Sequence, residues 1–462
     1  MGLEDFEQEI LNNPVLSRLA GLAKNEKTPL FLVGGYLRDL GLKKQSKDYD
    51  FALPRESLSF ISAIEKAFQL HFFRTGKEEE TTTFRVMKDE LTMDIALFQG
   101  RNLEEDLRRR DFTINTLAYS LEDGTWHCAE GALEDLDRRR IRAVTGRSID
   151  QDPLRMLRAI RYLCTLNDFS LDKELKEEIS LKKDLILRIP SERIKAELDH
   201  ILLSPGRTTG MKILYETGLL LVLFPELKGL EGLGQDDHHH LNALSHTLLA
   251  LEKISWAMEW TRLKGKSLSF SQEDLICLAY AILFHDIGKQ NTYSKDERGK
   301  VHFYRHETLS CQGAARIMER LRFSNLMRDR VLHLIQNHMR ILNLSCETKE
   351  TALKRLVHQI GDETPLLVIH SLSDKEASRG VLSYQNDHIV EDHCLHLLEL
   401  FTHGDVVHPH PLITGKDVMS LGYHAGPRIG QILSMFRVKQ VEGEIKTREE
   451  ALRILRERFS LE

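Results

Sequence analysis

Two carboxylates separated by one residue follow a glycine pair in the stretch LVGGYLRDLGLKKQSKDYDFAL, residues 32–53. In a β-strand, Asp48 and Asp50 would project from the same face, because side chains two positions apart point the same way. Two like charges this close repel each other unless a cation lies between them, and two-metal phosphoryl-transfer sites place Mg²⁺ there. Asp94, an acid inside the apolar run LTMDIALF, is a candidate third carboxylate on a neighbouring strand, because burying it without a partner is costly.

The glycine pair, Gly34 and Gly35, follows an apolar run and precedes a helical pattern. Backbone N–H groups at such a turn can face a triphosphate. Arg38, one turn into the helix, is placed to reach phosphate or to pair with a carboxylate. A glycine pair or a DxD motif alone is equally typical of a surface loop that leads into a strand, but their combination favours a metal-dependent nucleotide site.

The elements that must position these residues fall into several domains, as expected for 462 residues. Residues 1–147 alternate strand-like runs with helical spacing, which predicts a small α/β head in a multidomain α+β protein. From about residue 150 the apolar spacing is helical almost throughout, which predicts an all-helical body. We expect four domains: the head (1–147), a helical neck (148–230), a histidine-rich domain (231–400) and a helical tail (401–462).

The composition of the chain predicts the cellular location of the protein and limits the classes of partner that it could bind. The six cysteines are scattered without a CxxC pair, which indicates reduced thiols and a cytoplasmic protein. The sequence contains neither a run of about 20 apolar residues nor a signal-peptide pattern, so we expect no membrane association. The formal net charge is −6, yet basic clusters at 108–110 and 138–142 leave a nucleic-acid partner open. The sequence does not predict the oligomeric state.

An ordered set of motifs continues downstream: EEDLRRRDFTINTLAY (104–119), EDLDRRRIRAVTG (134–146), QDPLRMLRAIRY (151–162) and SERIKAEL (191–198). Together with GGYLRD and DYD, this set resembles the class II tRNA nucleotidyltransferases and bacterial poly(A) polymerases, which have polymerase β-like heads. The resemblance covers roughly residues 30–225. It implies a template-independent enzyme that extends the 3′ end of tRNA from CTP, or from CTP and ATP. It also implies that the neck and the tail bind RNA.

The resemblance also implies roles for individual residues. Asp48 and Asp50 would bind the catalytic Mg²⁺ ions, and Asp94 lies where the family has a further acid. Asp152 and Arg155 would act as a protein template, because Asp accepts a hydrogen bond from the exocyclic amine that C and A carry. The nucleotide-binding positions would be Gly34, Gly35, Arg38, Arg109, Arg110, Asp111, Asn115, Asp152, Arg155, Arg158 and Arg161.

Three departures from the family pattern bear on specificity. Gln151 stands where the family has Glu, and Cys128 and Ala129 replace its usual Asp-Pro. Only QGRNL separates DIALF from EEDLRRRD, where relatives that add the complete CCA end carry a longer flexible loop. This short segment favours the CC-adding subtype. Full CCA addition stays an alternative, since the preceding loop RTGKEEETTTFRV could substitute in part, and A-only addition fits least. A poly(A) polymerase is a further alternative, although the mixed-charge C-terminus is atypical of one.

A second set of metal-binding residue types lies between residues 236 and 380. Its order, H…HD…H…H…D, resembles the HD superfamily of metal-dependent phosphohydrolases. The resemblance implies one divalent metal (Mn²⁺, Ni²⁺, Co²⁺ or Fe) at His246, His285, Asp286 and Asp374, and a second at His306 and His338. We expect His238, His239 and His240 to be surface residues. The alternatives are a degenerate HD fold that binds RNA, and a regulatory phosphohydrolase whose head only binds nucleotide.

Overall fold

The computed structural model describes residues 3–75, 82–88, 91–234, 241–378 and 387–459. Its contacts divide the chain into two compact units, residues 1–223 and residues 224–462. The predicted residues His238, His239 and His240 lie outside the described residues, as does much of the loop after β-strand residue Thr75. The four domain boundaries predicted from the sequence are finer than this division and stay a prediction.

The first unit is built on a sheet that presents the carboxylates. Its strands are β1 (Phe31–Val33), β2 (Asp48–Leu53), β3 (Phe73–Thr75), β4 (Thr83–Lys88), β5 (Leu91–Leu97), β6 (Ala118–Ser120), β7 (Trp126–His127), β8 (Arg140–Ile141) and β9 (Ser170–Leu171). The first seven form one sheet in the order β3-β4-β5-β2-β1-β6-β7, and β8 pairs with β9. The β2–β5 pair is parallel and places Asp50 directly opposite Asp94. The predicted neighbouring strand is therefore β5.

The helices of the first unit cover the sheet and then continue as a helical bundle. They are α1 (Leu3–Asn12), α2 (Pro14–Glu26), α3 (Gly35–Gly41), α4 (Phe60–Phe68), α5 (Leu103–Arg108), α6 (Ala132–Asp137), α7 (Ser148–Gln151), α8 (Arg155–Thr165), α9 (Lys173–Lys182), α10 (Ser191–Leu203), α11 (Arg207–Glu216) and α12 (Leu219–Leu223). Between β1 and α3, Gly34 has φ +74°, a left-handed conformation that favours glycine. The glycine pair therefore makes the tight strand-to-helix turn that the sequence predicts.

Over the residues that the structure describes, the second unit is helical apart from one hairpin, β10 (Tyr293–Lys295) with β11 (Val301–Phe303). Its helices are α13 (Ala243–Leu263), α14 (Gln272–Phe284), α15 (His306–Arg320), α16 (Asn325–Asn337), α17 (Met339–Leu342), α18 (Glu350–Ile360), α19 (Thr364–Ala377), α20 (Asp387–Thr402), α21 (Gly404–Val407), α22 (Gly415–Met419), α23 (Pro427–Val441) and α24 (Arg448–Phe459). Helices α14 and α19 are buried on nearly every side, which explains their continuous apolar runs. The predicted fold class, an α/β head followed by a helical body, is confirmed.

Helix length and polarity also bear on the membrane prediction. Across the described ranges, each helix is too short or too polar to cross a lipid bilayer.

Candidate active site and metal centre

The first unit contains a polar cleft of about 450 Å³ at the open face of the sheet. Most of the residues predicted to bind nucleotide line it. The lining consists of Gly34, Gly35, Tyr36, Arg38, Asp39, Ser46, Asp48, Asp50, Arg110, Asp111, Asn115, Asp152, Arg155, Arg158, Arg161, Tyr162 and Arg193. Five separate sequence motifs thus contribute side chains to one cleft.

The carboxylates lie at the edge of this cleft. Asp48 is exposed and Asp50 is half-buried, while Tyr49 between them points into the core. Burial, together with the nearby Asp94 and Asp48, raises the pKa of Asp50, and Arg110 and Arg38 offset this only in part. Clustered carboxylates with a deficit of positive charge are the donor set that hard divalent cations prefer. These residues therefore fit the metal ions that the sequence predicts.

The third acid has a partner within the sheet. The Arg85 guanidinium donates through Nε to Asp94 Oδ1 at 2.6 Å and through a terminal nitrogen to Oδ2 at 2.5 Å. Arg85 lies opposite Asp94 in the β4–β5 register. This two-point ion pair is how an acid persists in an otherwise apolar strand. Asp94 is adjacent to Asp50, but both of its oxygens are engaged by Arg85.

The glycine turn approaches the carboxylates closely. A Cβ atom at Gly34 would lie 3.2 Å from a terminal nitrogen of Arg110 and 3.6 Å from Asp50 Oδ2. A side chain here would fill the space in which phosphate can meet the turn. Arg38 on α3 is buried, donates to Asn115 Oδ1 at 2.8 Å and pairs with Asp39 at 2.7 Å. Arg38 thus pairs with a carboxylate, one of the two roles predicted for it.

Asp111 links the head motif to α8. Its Oδ2 accepts from Arg158 at 2.6 Å, and its Oδ1 accepts from Asn115 Nδ2 at 2.9 Å and from the Phe112 amide at 2.8 Å. Burial alone would raise the pKa of Asp111, but Arg158 and these hydrogen bonds hold it below its usual value. Asp111 therefore orients Arg158 and Asn115 along the cleft wall.

An aromatic ring that the sequence analysis did not single out lies among these cations. Tyr162 on α8 has the guanidinium carbons of Arg161, Arg38 and Arg158 at 4.5, 5.1 and 5.8 Å from its ring centroid. Arg161 is anchored by Glu197 on α10 at 2.7 Å. The i, i+4 spacing of Arg158 and Tyr162 was a usable signal, because it places both on one helix face.

The predicted template pair is held at the opposite end of the cleft. Asp152 accepts from the Leu154 amide at 3.1 Å and from Arg193 at 2.9 Å. Arg155 donates to Ser148 Oγ at 2.8 Å and to the carbonyl of Arg109 at 2.5 Å. Arg193, which the sequence did not single out, is a second cation beside Asp152. The Arg109 side chain is exposed, and its backbone carbonyl positions Arg155.

The second unit brings all six residues of the HD set together in its interior. His246 lies on α13, and Asp374 lies on α19. The remaining ligand candidates stand at helix ends, where the chain turns inward: His285 and Asp286 after α14, His306 at the start of α15 and His338 after α16. Each of the six residues is at most 5% exposed.

The distances within this HD cluster are those of ligands around a common centre. His246 Nε2 lies 2.8 Å from Asp374 Oδ1, and His285 Nε2 lies 3.2 Å from Asp286 Oδ2. His306 Nε2 lies 3.3 Å from Asp286 Oδ1 and 3.1 Å from His338 Nε2. Two overlapping groups have ligand atoms within 4.8 Å of one another: His246, His285 and Asp374, and His285, Asp286 and His338.

Hydrogen bonds fix which nitrogen each ring presents to the centre. The Nδ1 atoms of His285, His306 and His338 face the carbonyls of Ile282, Phe303 and Ile335 at 2.7, 2.9 and 2.7 Å. Because a carbonyl only accepts, Nδ1 carries the proton in the neutral ring and Nε2 presents its lone pair. Burial, reinforced by His285, holds the pKa of His338 well below its usual value, so this ring is neutral. Lone pairs that converge with two carboxylates fit a divalent metal.

Two further residues of this centre were missed. Lys289, which follows the HD pair in the sequence, places Nζ 2.7 Å from Asp286 Oδ2. His370 is buried one turn before Asp374 on α19, with its ring centroid 5.3 Å from that of His285 and 5.7 Å from that of His338. Burial and His285 lower the pKa of His370 to about 3. The H-x-x-x-D spacing on one helix was the available signal.

Family models match three segments of the chain. They are the Poly A polymerase head domain over residues 30–142, the probable RNA and SrmB-binding site of polymerase A over residues 168–230, and the HD domain over residues 243–377. These segments contain the carboxylate face of the sheet, the helices after α8 and the HD cluster. Both units, therefore, match the families expected from their motifs.

Whole-chain relatives decide the family. A CC-adding tRNA nucleotidyltransferase of Thermus thermophilus is 33% identical over 435 residues, covering 91% of this chain and 92% of the relative. An A-adding tRNA nucleotidyltransferase of Deinococcus radiodurans is 31% identical over 432 residues, covering 91% and 93%. This chain belongs to the tRNA nucleotidyltransferase family. The enzyme is a nucleotidyltransferase with a divalent-metal head and an HD domain.

Solved structures support the fold assignment. A CCA-adding enzyme in complex with CTP matches with a TM-score of 0.67 and 19% identity, covering 98% of both chains. The Thermotoga maritima CCA-adding enzyme complexed with tRNA matches with a TM-score of 0.62 and 19% identity, again covering 98% of both. At this identity the likeness concerns the fold, and the assignment of residues rests on the cleft itself.

Proposed function

We propose that the enzyme adds C residues from CTP to the 3′ end of tRNA and stops after two. The observation that carries this proposal is the connection between β5 and α5, which joins the carboxylate strand to the arginine motif. It spans residues 98–102 only. The family resemblance implies that relatives which switch from adding C to adding A carry a longer, flexible segment at this place.

Hydrogen bonds hold this connection in one conformation. The Phe98 amide donates to the Leu53 carbonyl at 2.9 Å, and the Gln99 amide donates to Asp106 Oδ1 at 2.9 Å. The Asn102 side chain caps α5 by accepting from the Glu105 amide at 2.9 Å. A short segment anchored at both ends cannot rearrange a base-binding site between two nucleotides, which supports a single specificity.

The relatives differ on this point. The Thermus thermophilus relative is a CC-adding enzyme, as is a Synechocystis relative at 27% identity over 440 residues. The Deinococcus radiodurans relative, at 31%, is an A-adding enzyme. Identity near 30% does not separate these specificities, so we base the choice on the β5–α5 connection.

In this proposal the cleft residues divide the work. Asp48 and Asp50 hold Mg²⁺, which supplies charge neutralisation of the triphosphate and activation of the attacking hydroxyl. The Gly34–Gly35 turn and Arg110 hold the phosphates, since turn amides and guanidinium groups suit phosphate oxygens. Asp152 and Arg155 read the base edge, with Arg193 and Ser148 fixing their orientation.

The test uses three tRNA transcripts that end at the discriminator base, after one C and after two C residues. Each is incubated with CTP alone, with ATP alone and with both. We expect extension of the first two transcripts to CC and no extension of the third. Addition of A to the third transcript would replace this proposal with full CCA addition or A addition. Long A tails on any transcript would indicate a poly(A) polymerase.

We further propose that the HD cluster holds one or two transition-metal ions (Mn²⁺, Ni²⁺, Co²⁺ or Fe) and hydrolyses phosphate esters. The observation that favours this is the convergence of three Nε2 lone pairs with Asp286 and Asp374. Histidine and carboxylate together suit these ions better than Mg²⁺, which prefers oxygen ligands alone. Bound metal would supply the activated water, and Lys289, 2.7 Å from Asp286, lies where an ester phosphate could be neutralised.

The hydrolytic proposal is tested with a nitrophenyl phosphodiester and a nitrophenyl phosphomonoester as probes, in buffers that contain each of the four metals in turn. We expect metal-dependent hydrolysis that Asp374→Asn abolishes. Equal rates in the parent protein and this variant would leave the HD cluster as a structural element. The exposed Asp405 on α21, changed to Asn, is the matched control in the same unit.

A further inference from the structure

The edge of the sheet carries large apolar side chains on its open face. Successive side chains of β3, β4 and β5 point alternately to the two faces of the sheet, one of which is covered near the strand centres. On the covered face, Phe72, Val86 and Met93 are at most 6% exposed, whereas on the open face Phe73 is 65% and Met87 is 72% exposed. The open face of this edge therefore presents an aromatic ring and a thioether to solvent.

The strand register places this edge in line with the catalytic carboxylates. Asp50 lies opposite Asp94, Asp94 opposite Arg85, and Arg85 opposite Phe73. Directly opposed residues in a sheet project from the same face. Neighbouring strands are about 4.8 Å apart, so Phe73 lies roughly 14 Å from Asp50 along this row.

The row of opposed residues from Asp50 to Phe73 extends to one side of the proposed reaction site. The glycine turn and Arg110 lie on the β1 side of Asp50, where they can hold a triphosphate. In nucleotidyl transfer the attacking and leaving oxygens are roughly in line, on opposite sides of the transferred phosphorus. The attacking 3′-hydroxyl must therefore come from the other side of Asp50, which is the side of β5, β4 and β3.

The side chains on this edge suit unpaired bases. Aromatic rings and planar guanidinium groups stack on bases of any sequence. The Arg85 guanidinium is kept in place by its two hydrogen bonds to Asp94, so it offers a fixed plane beside the Phe73 ring.

We propose that Phe73, Arg85 and Met87 form a stacking surface for the unpaired 3′ end of the acceptor RNA, which brings its terminal hydroxyl to Asp48 and Asp50. This edge surface is continuous with the carboxylate row, which favours RNA over a protein partner. The inference rests on the proposed nucleotidyl transfer, because that reaction defines which end of the RNA must arrive there.

The test compares binding of two fluorescein-labelled tRNA transcripts to the full-length enzyme in Mg²⁺ without nucleotide. One transcript ends in an unpaired C after the discriminator base, and the other has a blunt acceptor stem. We expect Phe73→Ala to weaken binding of the first transcript by about 5- to 150-fold, the equivalent of one lost base stack. Binding of the blunt transcript should be unchanged. Leu326→Ala, which removes a 72% exposed apolar side chain from the second unit, is the control and should alter neither.

A conservative variant gives a direct signal for stacking. Phe73→Trp should restore the affinity, and the added tryptophan should lose fluorescence on binding the unpaired end but not the blunt end, relative to the parent protein. In steady-state extension, Phe73→Ala should raise the KM for RNA and leave the KM for CTP unchanged. Equal affinities of Phe73→Ala and parent for both transcripts, with no quenching in Phe73→Trp, would overturn the stacking surface.

The outcomes separate this inference from the reaction on which it rests. Extension by the parent enzyme together with binding that does not depend on Phe73 removes the stacking surface and leaves the transferase intact. Binding that depends on Phe73 without any extension by the parent enzyme removes the proposed reaction and leaves an RNA-binding surface. A blunt transcript that is weakened equally by Phe73→Ala contradicts recognition of the unpaired end.

Discussion

The two metal-binding regions of this enzyme differ most in their access to solvent. In the cleft of the first unit, Asp48 is exposed, Asp50 is half-buried, and every ligand candidate is an oxygen donor. In the HD cluster the ligand candidates are almost fully buried, and four of six are histidines. An open carboxylate site suits hydrated Mg²⁺ that arrives with a nucleotide, whereas a closed histidine cluster suits a resident transition metal.

The two regions also balance charge differently. In the cleft, most cations already have an internal acid: Arg158 has Asp111, Arg161 has Glu197 and Arg38 has Asp39. These pairs hold the guanidinium groups in position before a nucleotide arrives, which avoids the reorganisation that flexible side chains would need. In the HD cluster the converging groups are acids and lone pairs, with Lys289 as a cation at Asp286. The cleft is thus preorganised by protein side chains, whereas the converging donors of the HD cluster fit a divalent metal.

The largest effect is expected from changing one exposed residue, Asp48, which belongs to only one of the two sites. Asp48→Ala should lower the rate of CTP addition by about 10³-fold or more, because several kcal/mol of metal-dependent stabilisation are lost. Asp48 is exposed, so the fold should be unaffected. Single-turnover extension measures the effect, with Asp168→Ala as a control for another exposed acid of the same unit. Full activity of Asp48→Ala would exclude the carboxylate site as the site of chemistry.

Metal removal should affect the two regions differently, because their ligands differ in exposure to solvent. Brief passage of the protein through a chelator column should abolish CTP addition, while the HD metal stays bound because its ligands are buried. Mg²⁺ alone should then restore addition. Elemental analysis of the treated protein gives the retained metal, and simultaneous loss of both metals would contradict the contrast in access.

A moderate effect is expected where the cleft is preorganised. Asp111→Asn removes the charge that orients Arg158. Because the Asp111–Arg158 ion pair is half-buried, we expect the variant to lose about 1–3 kcal/mol of local stability at neutral pH. Because the pKa of Asp111 is lowered in the folded state, its stabilisation is present above the unfolded value, near 4, and is lost as the pH falls below it. Hydrogen exchange of residues 155–165 at pH 7 and at pH 2.5, below the unfolded value, measures both. Protection that falls equally with pH in parent and variant would contradict this role.

The smallest effect concerns the base-reading end of the cleft. Gln151 Oε1 lies 3.5 Å from a terminal nitrogen of Arg155 and is exposed. Gln151→Glu would add a competing charge for Arg155, so we expect a change of only a few-fold in the KM for CTP, since exposed pairs contribute about 1 kcal/mol at most. Titration of CTP in the extension assay checks this. A change in the nucleotide that is added would show that residue 151 selects the base.

Local sequence patterns predicted the parts of these sites that are local. The DYD spacing predicted two acids on one strand face, and the glycine pair predicted the turn, because both follow from backbone geometry alone. The HD order predicted the six clustered residues through resemblance. For the acids and the glycine turn, a motif of a few residues determines the local conformation.

Partners that meet only through tertiary structure were missed. Arg85 binds Asp94 across a strand pair, and Arg193 binds Asp152 from a helix 41 positions away in the sequence. The Tyr162 ring lies against three arginines, one of which belongs to the head. No periodicity in the chain encodes such pairings, since strand register and helix packing decide them.

We propose that one chain carries two chemically independent metal sites. The variant His285→Ala is the sharpest test of their independence. The variant is compared with the parent and with Asp48→Ala by measuring bound transition metal and CTP addition in the same preparations. We expect His285→Ala to lose the metal and keep CTP addition, and Asp48→Ala to show the reverse. Loss of both properties in a folded His285→Ala protein, or unchanged metal content, would contradict it.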